Sequence, residues 1–206
     1  MIAVIDYGVG NLFSLTASLK YLGADVKVTG EKEEIEAADR IILPGVGAFA
    51  DAKEKLDQTG LVETILEQVA DGKPLLGICL GMQLLFDESH EYGVHKGLGL
   101  IKGKIASIDE DLKKAGIAGL KVPHIGWNSL QFEKDEPLFR YNKPGDYVYY
   151  VHSFYGTDCE ESIIATSEYG VTITGAVRNG KVYGTQFHPE KSGEAGLKML
   201  KAFMEV

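Results

Sequence analysis

Gly77-Ile78-Cys79-Leu80-Gly81 places a thiol between two glycines, after an apolar run and before Met82-Gln83-Leu84-Leu85-Phe86, which reads as a helix. That is the pattern of a nucleophile elbow, a strained strand-to-helix turn that lifts its central side chain off the sheet edge. A helix start behind the sulfur favours thiolate over free thiol, whose ordinary pKa is about 8.5. The N–H of Leu80, the residue after the nucleophile, is the natural donor to an oxyanion. The same five residues also suit a small buried cysteine at a tight turn, so the elbow alone does not decide.

The far end of the chain weighs in. In Gln186-Phe187-His188-Pro189-Glu190 the proline biases His188 towards an extended backbone. Residues two apart in an extended segment share a face, which brings the Glu190 carboxylate beside the imidazole to fix its tautomer and stabilise its charged form. Cys79, His188 and Glu190 then form a triad for acyl transfer. Leu43-Pro44-Gly45-Val46-Gly47 ends another strand, and its Gly-flanked peptide can supply a second N–H to the oxyanion or simply make a tight turn. Gln83, one turn after Cys79, favours an amide side chain over an ester or peptide as substrate, although a cysteine hydrolase of different specificity fits the elbow too.

Other motifs fail. Gly8-Val9-Gly10 begins like a dinucleotide loop, but the third glycine position holds Phe13. The histidines and cysteines are scattered without metal-ligand spacing, so neither a metal nor a cofactor is expected. A formal charge of −9 argues against nucleic acid or an anionic membrane surface as partner. The opening Met1–Asp6 run meets an acid too early for a signal peptide and no stretch approaches a membrane span, so a cytoplasmic protein with unpaired Cys79 and Cys159 is expected.

The elements that must hold these groups follow from periodicity. Short apolar runs at Ile2–Asp6, Asp25–Val28, Arg40–Leu43 and Pro74–Ile78 read as strands. Between them lie a helix over Asn11–Leu22, with Asn11 as N-cap, and another over Ala48–Ala70 broken near Gly60. That alternation predicts an α/β fold, a mostly parallel central sheet flanked by helices. In the second half, the runs Ser129–Phe132, Tyr147–Tyr155, Ile163–Ser167 and Lys181–Phe187 are separated by turns, which predicts antiparallel or mixed strands. Glu133–Asp146 reads as a surface connection and Glu194–Met204 as a docked final helix, in one domain of 206 residues.

With these residues in hand, the chain resembles the class I, triad-type glutamine amidotransferases, whose fold is flavodoxin-like. The likeness runs from Ile5-Asp6-Tyr7-Gly8 and Gly10-Asn11-Leu12 through Leu43 to Phe49, Gly77 to Phe86, Pro123 to Asn128 and Tyr149 to Tyr155, to Gly184 to Ser192. Gly45-Val46-Gly47 and Pro123-His124-Ile125-Gly126-Trp127-Asn128 point to the branch that supplies ammonia for imidazole glycerol phosphate in histidine biosynthesis. A glutaminase serving another synthase, such as anthranilate synthase, is the alternative within the family.

The resemblance implies attack of Cys79 on the glutamine amide, a glutamyl thioester, and transfer of ammonia to a (β/α)8-barrel synthase subunit in a heterodimer. It implies that Gln83 and Glu91 hold glutamine, with backbone of Gly47 and of His152-Ser153-Phe154 completing the pocket, and that Val46 offers the second oxyanion N–H after a flip. It also places Asn11, His124, Trp127, Asn128, Tyr149 and Lys191 at the subunit interface.

Overall fold

The computed structural model describes all 206 residues, Met1–Val206. Four short apolar runs form the parallel strands β1 (Ile2–Ile5), β2 (Val26–Thr29), β3 (Arg40–Leu43) and β4 (Leu75–Ile78), joined by helices α1 (Leu12–Tyr21), α2 (Lys32–Ala37), α3 (Phe49–Gln58) and α4 (Leu61–Ala70). Gly60, in a left-handed conformation, separates α3 from α4 where the helical pattern predicted a break. Asn11 stands at the N-cap of α1 as expected, but its side chain makes no capping hydrogen bond. The helix α2 escaped the periodicity reading because only Ile35 of its six residues is buried.

The chain then turns through the short helix α5 (Leu80–Leu84) into β5 (Phe86–Ser89), β6 (His95–Lys96), β7 (Ile101–Ser107) and α6 (Ile108–Lys114). The helix after the elbow therefore ends before Phe86, which begins a strand instead. Further on come β8 (His124–Ser129), β9 (Gln131–Phe132), β10 (Tyr147–His152), β11 (Phe154–Thr157), β12 (Ile163–Tyr169), β13 (Val171–Asn179), β14 (Val182–Thr185) and α7 (Gly193–Met204).

The main sheet has the order β2-β1-β3-β4-β14-β13-β12-β9. Its first half is parallel. From β14 onward neighbours run antiparallel, while β14 itself lies parallel to β4. Helices cover both faces. On one, Leu15 and Leu19 of α1 and Met199, Leu200 and Phe203 of α7 bury against Val4 and Ile42; on the other, Ile35, Phe49, Leu56 and Ile65 bury against Ala3, Ile41 and Leu43. The expected α/β class with antiparallel strands in the second half is what the chain adopts.

Two smaller sheets complete the molecule, the ribbon β10-β8 and the four-stranded β11-β7-β5-β6. The Tyr147–Tyr155 run, continuous in sequence, is divided between them at Ser153. The Glu133–Asp146 connection is not wholly superficial, since Leu138 and Phe139 in its short 3-10 turn are buried.

Candidate active site

Cys79 sits between β4 and α5 with φ 54° and ψ −111°, a strained conformation for a residue with a side chain. The turn is this tight because it has glycines on both sides. A Cβ on Gly77 would stand 2.7 Å from the Gly81 carbonyl oxygen, and one on Gly81 would stand 1.8 Å from that of Leu43. The Cys79 N–H donates to the Thr185 carbonyl at 2.7 Å, tying the elbow to β14. As the first residue of α5, Leu80 has no carbonyl within its own helix to receive its N–H.

β14 runs beside β4 with Thr185 opposite Ile78, so the chain leaving β14 carries Gln186, Phe187 and His188 past the elbow. His188 Nδ1 and Glu190 Oε1 are 2.8 Å apart, both side chains nearly fully buried. The contact is made differently from the extended pairing predicted from sequence: His188 is extended, but Pro189–Lys191 form a 3-10 turn that folds Glu190 back. Burial alone would push the imidazole down, but the Cys79 sulfur and the Glu190 carboxylate together raise it to about 9.

A cavity of about 410 Å³ opens over the sulfur. Val46, Gly47, Cys79, Leu80 and Gln83 line it from the main-sheet side. Glu91, His152, Ser153, Phe154, His188 and Lys191 line it from the other elements. All the predicted catalytic, oxyanion and substrate residues but Glu190 thus border one space, and Glu190 reaches it through His188. Lys191, expected at an interface, also borders this cavity.

Gly45 is wedged in place. A Cβ there would lie 2.8 Å from the Gly81 nitrogen, and the preceding Pro44 carbonyl accepts the buried Tyr7 hydroxyl at 2.7 Å. Gly47, by contrast, has φ +96° with open space around it, and Val46 is exposed. The freedom to reorient a peptide therefore belongs to Val46 and Gly47 alone.

Glu91, which the loop-like sequence after Phe86 left unconstrained, is held by the fold. Its Oε2 accepts the Phe49 N–H at 2.7 Å, capping α3 where Ala48 has no side chain to do so. Burial raises its pKa, partly offset by that hydrogen bond.

The geometry is matched by kinship. The family model for glutamine amidotransferase class-I matches residues 3–206. The chain belongs to the class-I glutamine amidotransferases. It is 48% identical over 206 residues to the imidazole glycerol phosphate synthase subunit HisH of Listeria monocytogenes serotype 4b (strain CLIP80459), covering 100% of this chain and 96% of the relative. It is 50% identical over 206 residues, with the same two coverages, to the subunit of that name from Bacillus licheniformis. Among solved structures, the structure of PurLQS from Thermotoga maritima superposes with a TM-score of 0.77 at 20% identity, over 99% of this chain and 97% of that one, a likeness of fold.

Trp127 is exposed, edge-on to the Tyr149 ring at 6.0 Å across the β8–β10 ribbon, while Asn11 lies half-buried at the start of α1. His124 is not at the surface: it is 3% exposed, stacked between Tyr150 and Tyr169, with Nδ1 2.9 Å from His152 Nε2. The Asn128 amide is engaged within the chain, donating to the Glu168 carbonyl and accepting from the Ser129 N–H. Burial pushes Cys159 up to about 11, and its sulfur rests 3.9 Å from the Thr174 hydroxyl, an inert packing position. No helix is long and apolar enough to cross a membrane.

One residue was missed. Gln186 is fully buried with its Nε2 3.8 Å from the Cys79 sulfur, and no local pattern distinguishes it because its amide is oriented by Gln83, far away in sequence.

Proposed function

We propose that this cytoplasmic, single-domain amidotransferase is the glutaminase subunit of an imidazole glycerol phosphate synthase, passing ammonia to a (β/α)8-barrel subunit. The observation that carries the reading is the arrangement of Cys79 on its strained elbow with the buried His188–Glu190 pair over one amino-acid-sized cavity. Full-length identity near one half to subunits so named supports the choice of synthase.

The chemistry follows from the groups present. The Cys79 thiolate adds to the side-chain amide carbon of glutamine, and the N–H of Leu80 meets the developing oxyanion, joined by the Val46–Gly47 peptide when it turns inward. His188, charged and steadied by Glu190, gives its proton to the departing nitrogen, and ammonia leaves a glutamyl thioester. Water, deprotonated by the now neutral His188, attacks the thioester; the sulfur leaves as thiolate, glutamate is released, and the thiolate–imidazolium pair is restored. Gln83 and Glu91 orient the amino acid. Trp127 and Tyr149 on the exposed ribbon, with Asn11 and Lys191, face the barrel, and His124 and Asn128 support that ribbon from within. Ammonia must travel unprotonated to act as a nucleophile, which favours a closed interface over release to water.

The test uses the purified chain, a barrel cyclase subunit, the phosphoribulosyl-formimino aminoimidazole carboxamide nucleotide that accepts the ammonia, and glutamine labelled with heavy nitrogen in the side-chain amide. Label should appear in imidazole glycerol phosphate, with glutamate release stimulated by the barrel. Label passing instead to anthranilate with a chorismate-using partner, and no response to the barrel, contradicts the assignment.

A further inference from the structure

The carbonyl of Phe154 sets the direction of an entire hydrogen-bonded chain. It accepts from His152 Nδ1 at 2.8 Å and from Gln83 Nε2 at 3.0 Å, and a carbonyl can only accept. On one side, His152 must therefore carry its proton on Nδ1 and present a lone pair at Nε2. His124 Nδ1, 2.9 Å away, must be the donor, leaving its Nε2 to face the Asn128 amide at 3.4 Å.

On the other side, Gln83 must turn its NH2 towards Phe154, and that same NH2 lies 3.0 Å from Gln186 Oε1. Gln186 then has only its own NH2 to offer at the far end, 3.8 Å from the Cys79 sulfur. Flipping Gln83 would set its oxygen against the Phe154 carbonyl, and flipping Gln186 would set NH2 against NH2 at Gln83 and an oxygen against the sulfur, in a buried site. The Val151 carbonyl, 4.0 Å from the sulfur, welcomes S–H and opposes a thiolate.

We infer that Gln186 is a further catalytic residue, a fixed N–H donor to the Cys79 thiolate, and that His124 and His152 are positioning residues that aim it through Phe154 and Gln83. The inference rests on Cys79 being the nucleophile. Both histidines stay neutral at working pH because burial pushes them down, His124 to about 4 and His152 to about 3, so the direction of the chain does not reverse as the site cycles. It also frees Gln83 Oε1 to accept from the substrate in the cavity that Gln83 lines.

The test is iodoacetamide alkylation of the full chain across a pH series, with the Cys79 peptide quantified by mass spectrometry, in Gln186→Leu, Gln186→Glu, His124→Leu and His124→Asn. Gln186→Leu should slow alkylation of Cys79 at neutral pH about tenfold and move the profile to higher pH, the scale of one hydrogen bond to a charged group. Gln186→Glu, the same shape with a negative charge, should move it at least as far. His124→Leu should give a smaller shift in the same direction, and His124→Asn, which keeps a donor near the Nδ1 position, should restore it. An unchanged profile in either folded Gln186 variant overturns the inference. Alkylation needs no glutamine turnover, so the separate failure of the nucleophile assignment would show as glutamine hydrolysis persisting in Cys79→Ala.

Discussion

The Glu91 carboxylate accepts the backbone N–H of Phe49 at 2.7 Å, joining the loop after β5 to the start of α3, directly after the Val46–Gly47 peptide. Its other oxygen makes no hydrogen bond within the chain and the residue borders the cavity, so the carboxylate that caps α3 keeps one oxygen free. On the proposed function, substrate binding and the footing of the oxyanion loop share this residue.

Glu91→Ala should therefore do two things. It removes a helix cap worth about 1 kcal/mol, and it raises KM for glutamine more than it lowers kcat. Glu91→Gln keeps an acceptor for Phe49 and should recover the stability but not the KM. Urea melts and initial-rate kinetics of the two variants separate the effects, and a normal KM in both would remove Glu91 from the substrate site.

The oxyanion loop should divide sharply at Val46. Gly45→Ala drives a methyl to within 2.8 Å of the Gly81 nitrogen and should disrupt the elbow, with loss of stability and of Cys79 reactivity together. Gly47→Ala meets open space but a left-handed backbone, so it should fold at a cost of about 1–2 kcal/mol while glutaminase activity falls because the peptide no longer turns freely. Equal behaviour of the two variants in melting and in activity would contradict this division.

His188 should be protonated through neutral pH, with its midpoint near 9. That midpoint lies above the unfolded value of about 6.5, so the stabilisation is complete below that value and is lost as pH rises through about 9. Cys79→Ala removes one of the two groups that hold it up and should lower the midpoint, read from the imidazole C–H resonance. A midpoint insensitive to Cys79 would mean that sulfur and ring do not interact.

His152 predicts the opposite slope. Its folded pKa, about 3, lies below the unfolded value, so nothing is lost above pH 6.5, whereas below it the unfolded chain takes up a proton that the folded chain refuses. At pH 5 that difference costs about 2 kcal/mol relative to neutral pH. Urea unfolding at the two pH values should show the loss in the unaltered chain and a smaller one in His152→Gln.

The parts of the fold readable from sequence were those whose signal is contiguous. β1, β4 and the Ile41–Leu43 part of β3 are apolar runs because they are buried on both faces, the elbow is five residues long, and His-Pro-Glu is three. The small sheet was not readable: in β7 only Ile101 and Ile105 are buried among Lys102, Gly103 and Lys104, and β5 continues Asp87-Glu88 after Phe86. α6 did carry a signal, Ser107 three residues before Glu110, and the Ser107 side chain accepts the Glu110 N–H in the fold. Gln186 and the burial of His124 depend on contacts between distant segments, which no local pattern encodes.

The most direct test of the nucleophile is labelling with 6-diazo-5-oxo-L-norleucine, an electrophilic glutamine analogue, with the barrel subunit present and the adduct located by mass spectrometry. A single adduct on Cys79, formed in step with loss of glutaminase activity and slowed in His188→Ala, is the expected result. An adduct on Cys159, or full inactivation with Cys79 unmodified, would contradict the central claim that Cys79 attacks glutamine.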